Sequence, residues 1–225
     1  MDNLGISIIL QGNNLQRLLS GFFVTLQISI ISILISVLLG IIFGIVMNSK
    51  QIWIQVCSKI YLETVRIIPI VVWLFIFYFG LSRILQIRLP AQSIAVLVFS
   101  LWGTAEMGDI VRGAISSLPR QQIESAKAVG LTKIQIYQYI TIPQAVRRLL
   151  PAAINLSTRM IKTTSLVVLI GVIDVLKVGQ QIIELSVFSN SSAAFWIYGF
   201  VFFLYFIICY PISLLSRYLE VIWSE

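Results

Sequence analysis

Apolar residues run through this chain in long unbroken stretches and do not alternate with polar ones. Read in a window of about 19 residues, five stretches stand out: 21–47, 61–80, 89–111, 149–175 and 195–216. Each has about 20 residues or more, enough for a helix to cross hydrocarbon about 30 Å thick. In lipid the backbone must satisfy its own hydrogen bonds, which leaves helices or closed barrels. The missing period of two argues against a barrel. The expected fold class is all-α: a polytopic bundle of five transmembrane spans, taken as one membrane domain over 1–225. Within the first stretch Ser32, Ser36, Gly40 and Gly44 recur at every fourth position. Small residues so spaced let two helix backbones approach closely, so another helix is expected to cover this one.

Composition agrees. Of the 225 residues 58% are hydrophobic and only 11% charged, where a soluble domain has about a quarter charged. The net charge of +7 does not point to nucleic acid, because the basic residues are scattered among the apolar stretches and form no basic domain. Their placement instead suggests an orientation. With the N-terminus outside, Lys50, Lys59, Arg112, Arg120, Lys127, Lys133, Arg147, Arg148 and Arg217 fall inside. Arg17, Arg83, Arg88 and Lys177 fall outside. The excess of Lys and Arg belongs on the cytoplasmic side, so the N-terminus is expected outside and the C-terminus inside, although Arg83 and Arg88 run against the rule. The start of the chain does not read as a cleavable signal, lacking a positive first region. Cys57 and Cys209 are too far apart in sequence to suggest a disulfide or metal framework. The absence of histidine excludes His-based triads and His metal sites.

The segment 112–148 is the one long stretch outside the apolar runs, yet apolar residues persist in it at helical spacing. Pro119 suits a first helical turn, and a short helix is expected over 119–129 with Gly130 as its C-terminal cap. Thr132 followed by Gln135 is a capping-box pattern. A second short helix is expected over 133–140, broken by Ile142 and Pro143. The two would form a compact knob exposing Val129, Leu131, Ile134 and Ile136. It could lie on the bilayer surface, or it could dock a cytoplasmic partner.

These residues carry a resemblance. Glu124, Ser125 and Ala126, then Gly130 after three residues, then Ile140, Thr141, Ile142 and Pro143 after nine more, resemble the EAA loop of bacterial ABC-importer permeases. Ser125 stands for the first alanine and Ile142 for a leucine. Glu63, Arg66 and Pro69, followed by Phe79 and Gly80, resemble the E-x-x-R-x-x-P segment of the polar amino acid subfamily. Asp109, Arg112, Gly113 and Ile115 resemble its E-I-x-R-G-x-I segment, with Asp for Glu. Lys162, Thr164, Ser165 and Leu166 resemble its K-x-T-S-L segment, and Thr25 near the start also fits. The resemblance covers nearly the whole chain. It implies a permease of the type I ABC-importer kind in the bacterial cytoplasmic membrane, paired with a second copy or a paralogue. It further implies two cytoplasmic ATPase subunits, an extracytoplasmic binding protein and an amino-acid substrate. ATP and magnesium would be held by the ATPase, and no cofactor by this chain. The loop 117–143 would be the coupling element, with Glu124, Ala126, Gly130, Ile140 and Pro143 as its residues. Gly130 would allow a tight turn and the approach of a partner backbone.

Some polar residues fall inside the apolar stretches. Arg159 lies eleven residues past Arg148, roughly 16 Å along a helix, which puts it near the bilayer centre. A charge there costs several kcal/mol unless paired or hydrated. Asn155, Thr158, Lys162 and Ser165 should form one stripe with Arg159 beside it, and Glu106 and Asp109 in the third span are the natural opposite charges. These groups could be a structural ion network, or they could line a translocation path together with Thr163 and Thr164. Glu106 is the residue expected to shape a substrate site. Two rival functions are a secondary transporter or channel subunit, against which no internal repeat is seen, and a membrane enzyme using Ser165 with Lys162, for which nothing assembles an oxyanion site. No G-x-x-x-x-G-K-[ST] segment is present, so ATP hydrolysis is expected only on a partner. The identity of the solute, and the choice between a homodimer and a heterodimer, stay open in the sequence.

Overall fold

The computed structural model describes residues 6–86, 89–186 and 192–223. The described chain is helical, with no strand among those residues. In order come α1 (Ser7–Leu10), α2 (Asn14–Met47), α3 (Ile52–Ile67), α4 (Ile70–Phe75) with a π-helical extension (Ile76–Leu81), and α5 (Ser82–Leu85). They are followed by α6 (Ala91–Ser116), α7 (Arg120–Ala128), α8 (Lys133–Ile136), α9 (Ile142–Thr163), α10 (Val175–Ser186) and α11 (Ala193–Trp223).

Three helices, α2, α6 and α11, are each long and apolar enough to cross a membrane, and two bent helix pairs bring the number to five. The spans expected at 61–80 and 149–175 are therefore broken helices and not straight ones. The first break has a local cause. Ile68 is extended (φ −79°, ψ 123°) and Pro69 follows it (φ −54°, ψ 138°), because a residue before proline is driven out of the helical region. The second break follows a 3-10 turn (Thr164–Ile170), after which Gly171 takes φ +83°, a left-handed value that suits glycine. Average hydropathy does not register either break, since Ile68, Ile170 and Val172 are as apolar as their neighbours. The first helix also begins earlier than its apolar run, at Asn14, and the last runs on to Trp223. Arg88 lies outside the described residues; Arg83 sits on α5.

The chain divides into two compact units, and α2, α6, α9 and α11 contribute residues to both. One unit comprises 1–32, 69–99 and 159–211. Its core gathers Leu18, Val178, Ile182, Ile197 and Val201 from α2, α10 and α11. Gly21 meets the break itself, since a Cβ there would lie 2.8 Å from the Asp174 carbonyl oxygen. Arg17 donates to Gln181 Oε1 at 2.8 Å in the same unit.

The other unit comprises 33–68, 100–158 and 212–225. Here the small-residue row on α2 meets α6, as its spacing requires. A Cβ on Gly40 would lie 2.5 Å from Met107 Cβ, and one on Gly44 2.5 Å from Val111 Cβ. From α6, Gly108 receives the ring of Phe43. Ser36, on the same row, donates to the Ser100 carbonyl at 3.4 Å, and Phe43 packs edge-on against Tyr61 with ring centroids 5.1 Å apart. The Tyr61 hydroxyl in turn donates to the Leu101 carbonyl at 2.7 Å, which ties α3 to α6. In lipid this contact is made by packing and hydrogen bonding, because apolar burial drives little once the surroundings are apolar.

Gly40→Val should therefore separate α2 from α6 and lower thermal stability in detergent by about 1–3 kcal/mol, the usual cost of overpacking. Gly80→Ala, where a Cβ meets nothing within 4 Å, should change it by less than about 0.5 kcal/mol. Equal midpoints for the two variants in a thermal unfolding assay would mean that the α2–α6 seam is loose.

Candidate functional site

The loop 117–143 is built by capping chemistry. Helix α7 ends in a left-handed turn at Gly130 (φ +86°). The Leu131 N–H donates to the Ala126 carbonyl at 3.1 Å and the Gly130 N–H to the Lys127 carbonyl at 3.0 Å. That paired pattern is a Schellman motif, which satisfies carbonyls that a helix end leaves open. Two residues later the expected capping box is present: Thr132 Oγ1 accepts from the Gln135 N–H, and Gln135 Oε1 accepts from the Thr132 N–H at 2.9 Å. Two caps back to back turn the chain within four residues. The Arg148 guanidinium closes the base of the loop by donating to the Ser117 carbonyl and hydroxyl, both at 2.7 Å. Gln144 reaches Gln122 at 2.8 Å.

The loop departs from expectation in its second half. Helix α8 is only four residues long, Lys133–Ile136, and a π-helical turn (Tyr137–Thr141) carries the chain into α9 without a break. Ile142 is helical (φ −63°, ψ −50°) and its N–H is taken by the Tyr137 carbonyl, so the helix runs on through Pro143 by way of the π-helical turn, the kind of local rearrangement found where a helix contains proline. The proline does not interrupt the helix, as it was expected to. Ile136, expected on the exposed face, is buried at 4%, and Leu131 is half-buried. Val129 and Ile134 remain outside at 79% and 77% exposure. Glu124 is exposed and Ala126 buried. A shallow cavity of about 500 Å³ lies on this face, lined by Gln122, Ser125, Ala126, Val129, Leu131 and Ile140 among others. The apolar floor between polar rims suits a protein surface more than a small ligand.

The second constellation joins α3 to α6. Arg66 Nε donates to Glu106 at 2.7 Å and Arg66 Nη2 to Asp109 at 2.8 Å. Arg112 donates to the other oxygen of Asp109 through Nε at 3.0 Å and also through Nη2. Glu106 and Asp109 lie three apart on α6, so one guanidinium on α3 can reach both. Glu106 is buried and Asp109 half-buried. Charge-assisted bonds of this kind are about twice as strong as neutral ones. The sequence reading places Arg66 in a motif and gives it no partner, because its acids lie forty and forty-three residues away.

The third group lies on α9 and the 3-10 turn after it. The helix carries Arg148 and Arg159 without interruption. Asn155, Arg159 and Lys162 form an exposed row, and Asn155 donates to Glu220 at 3.2 Å. The stripe expected from Asn155, Thr158, Lys162 and Ser165 is not preserved. Thr158 is 3% exposed, with its hydroxyl donating back to Ile154. The tightening of the helix at Thr164 also takes Ser165 out of the 3.6-residue register. Thr163, Thr164 and Ser165 donate to the carbonyls of Arg159, Ile161 and Lys162, which leaves their oxygens as acceptors.

Residues 36–221 match the binding-protein-dependent transport system inner membrane component family. The chain belongs to that family. Among its relatives is the probable glutamine ABC transporter permease protein GlnP of Bacillus subtilis (strain 168). It is 31% identical over 208 residues, covering 92% of this chain and 94% of the relative. The octopine transport system permease protein OccM of Rhizobium radiobacter is 29% identical over 197 residues, covering 82% and 80%. A solved amino acid ABC transporter with histidines superposes at a TM-score of 0.82 with 25% identity, over 92% of this chain and 94% of that one. The fold of this permease is that of a type I ABC-importer subunit in the inner membrane.

Within the permease, Asp174 is a residue that the sequence reading passes over. It is fully buried at the break before α10, and its Oδ1 accepts from the Lys177 N–H at 2.9 Å. The signal available was an Asp placed just ahead of a helix start, which is N-cap chemistry. Arg66→Met should lower thermal stability, and in a double-mutant cycle with Asp109→Asn the two changes should couple by about 1 kcal/mol, within the range for residues sharing one ion network. Strictly additive midpoints would show that Arg66 and Asp109 act independently.

Proposed function

We propose that this permease moves a polar amino acid into the cell by alternating access, driven through the loop 117–143 by partner ATPases. The observation that carries the reading is the loop itself: a short helix and a tight turn, capped at both sides, tied at its base by Arg148, and presenting Glu124, Val129 and Ile134 outward. A segment so ordered, with two large apolar residues left exposed, suits a protein partner. Glu124, Ala126, Gly130, Ile140 and Pro143 are its coupling residues. Gly130 supplies the left-handed turn, Ala126 is buried within the loop, and Glu124 offers a charge to the partner.

The amino-acid substrate is inferred from the relatives, which include a probable glutamine permease and an octopine permease. The candidates for lining a substrate path are, on α6, Glu106 and Asp109 and, taken separately, Asn155, Arg159, Lys162, Thr163, Thr164 and Ser165 on α9 and its 3-10 extension. The chain acts without an ATP site of its own, and ATP and magnesium belong to the ATPase. A second permease copy or paralogue and an extracytoplasmic binding protein complete the assembly. The excess of basic residues in segments on the loop side supports an N-out, C-in orientation.

The test is uptake of labelled amino acids into proteoliposomes holding the permease, its ATPase and its binding protein, with and without internal ATP. Gly130→Arg and Glu124→Lys should each lower ATP-dependent uptake about tenfold or more, since a docking contact worth about 1.4 kcal/mol sets a factor of ten in occupancy. Membrane insertion should be unchanged. Uptake that ignores ATP and follows an ion gradient would identify a secondary transporter instead.

A further inference from the structure

Two cavities, one with charged walls and one apolar, share residues in the unit that carries the loop. One, about 460 Å³, is mixed in character: Met47 and Leu62 line it beside the charged Lys59, Glu63 and Arg112, with Asn48 and Ser49 on its wall. The other, about 420 Å³, is apolar and is lined by Ile41, Ile45, Ile115, Ile142 and Val146, again with Asn48 and Ser49 on its wall. The shared residues stand just beyond the end of α2, where its apolar run gives way to the polar link into α3. Such a boundary is where phospholipid headgroups sit against a membrane protein. An apolar groove that opens there onto a charged cavity has the amphipathic layout of one phospholipid molecule.

The charges narrow the headgroup. Lys59 and Glu63 are four apart on α3 and so share a face. Neither takes part in an ion pair among the described residues. Arg112 spends Nε and Nη2 on Asp109 and keeps Nη1 as a donor. The cavity thus offers the ammonium of Lys59, the spare donor of the paired Arg112 and the carboxylate of Glu63. A purely anionic headgroup would satisfy the cations and be repelled by Glu63. A phosphodiester with a primary ammonium attached satisfies all three, the phosphate against Lys59 and Arg112 and the ammonium against Glu63. Basic pockets between membrane helices are recognised seats for lipid headgroups. The apolar groove falls in the size range of ordinary ligand sites. Aliphatic walls of this kind are filled by hydrocarbon more readily than by water.

We propose that these adjoining cavities form a site for one phospholipid with a phosphoethanolamine headgroup, one of its acyl chains lying in the groove beside Ile142 and Val146. The groove is also walled by Tyr137 and Thr141, which belong to the π-helical turn joining the loop to α9. A bound lipid therefore braces the segment that connects the loop to the helix beyond it. The leaflet follows from the orientation proposed above, whereas the lipid chemistry does not depend on it. The readout is lipid binding and not ATP-driven uptake, so the two readings fail separately.

The test is native mass spectrometry of the delipidated full chain titrated with phosphatidylethanolamine, phosphatidylglycerol and phosphatidylcholine. Phosphatidylethanolamine should bind first and as a single copy. Lys59→Glu should weaken it about tenfold, as expected for the loss of a charge-assisted contact, and Lys59→Gln should do so to a lesser degree. Val146→Trp should weaken it similarly by filling the groove from a position that is already exposed at 39%. Glu63→Gln should remove the preference over phosphatidylglycerol. Equal binding of all three lipids, tighter binding of phosphatidylglycerol to the unaltered chain, or affinity indifferent to the Lys59 and Val146 changes would each overturn the proposal.

Discussion

The close approach of α2 to α6 sets the arrangement of the unit that carries the loop. Gly40 and Gly44 admit Met107, Gly108 and Val111 to the backbone of α2 at distances no other residue would allow. That contact fixes the rotation of α6 about its own axis. With 107, 108 and 111 turned to α2, the positions 106 and 109 point elsewhere, and α3 brings Arg66 to meet them. The ion cluster thus follows from glycine placement on a helix that takes no part in it. Tyr61 reinforces the geometry by packing on Phe43 of α2 while donating to Leu101 of α6.

The same unit shows how a short loop can be firm without a core of its own. A tight turn between two short helices would normally leave the amides and carbonyls at their ends unsatisfied. Here the Schellman turn at Gly130 takes up the carbonyls of α7, and the capping box at Thr132 takes up the amides that open α8. The energy involved is modest, a cap being worth about 1 kcal/mol. Its effect is geometric: the two caps define the turn that links Val129 and Ile134 to the base held by Arg148. A docking element requires a defined turn more than it requires stability.

Much of this was readable from the sequence because it rests on local chemistry. The capping box, the glycine cap and the small-residue row each need only a few neighbouring residues, and all three occur where their spacing places them. The helical class and the approximate positions of the apolar runs rest on composition and were equally accessible. The errors also have local causes. Pro69 sits inside an apolar run, and an averaging window cannot distinguish a bent pair of helices from one span. Pro143 reads as a helix breaker, yet the π-helical turn ahead of it carries the helix through. The ion partners of Arg66 and the burial of Thr158 depend on which helix lies opposite, which no residue near them encodes. Family resemblance identified the loop as a unit without describing the contacts inside it.

The break before α10 shows why such irregularity survives in a membrane segment. Unpaired backbone groups cost several kcal/mol in hydrocarbon, so a broken helix must find internal partners. Asp174 provides one by accepting the Lys177 N–H, and Thr25 of α2 provides another by accepting the Val175 N–H at 3.4 Å while donating to the Gly21 carbonyl. Gly21 lets α2 come near enough for that exchange. Three residues from two distant parts of the chain are needed to make one interruption tolerable. Loss of the break would be the easier solution for folding alone, since a continuous helix satisfies every amide by itself. Its retention, with partners built for it, marks the segment between Gly171 and Val175 as a constructed joint in the helix and not as a place where the helix merely fails.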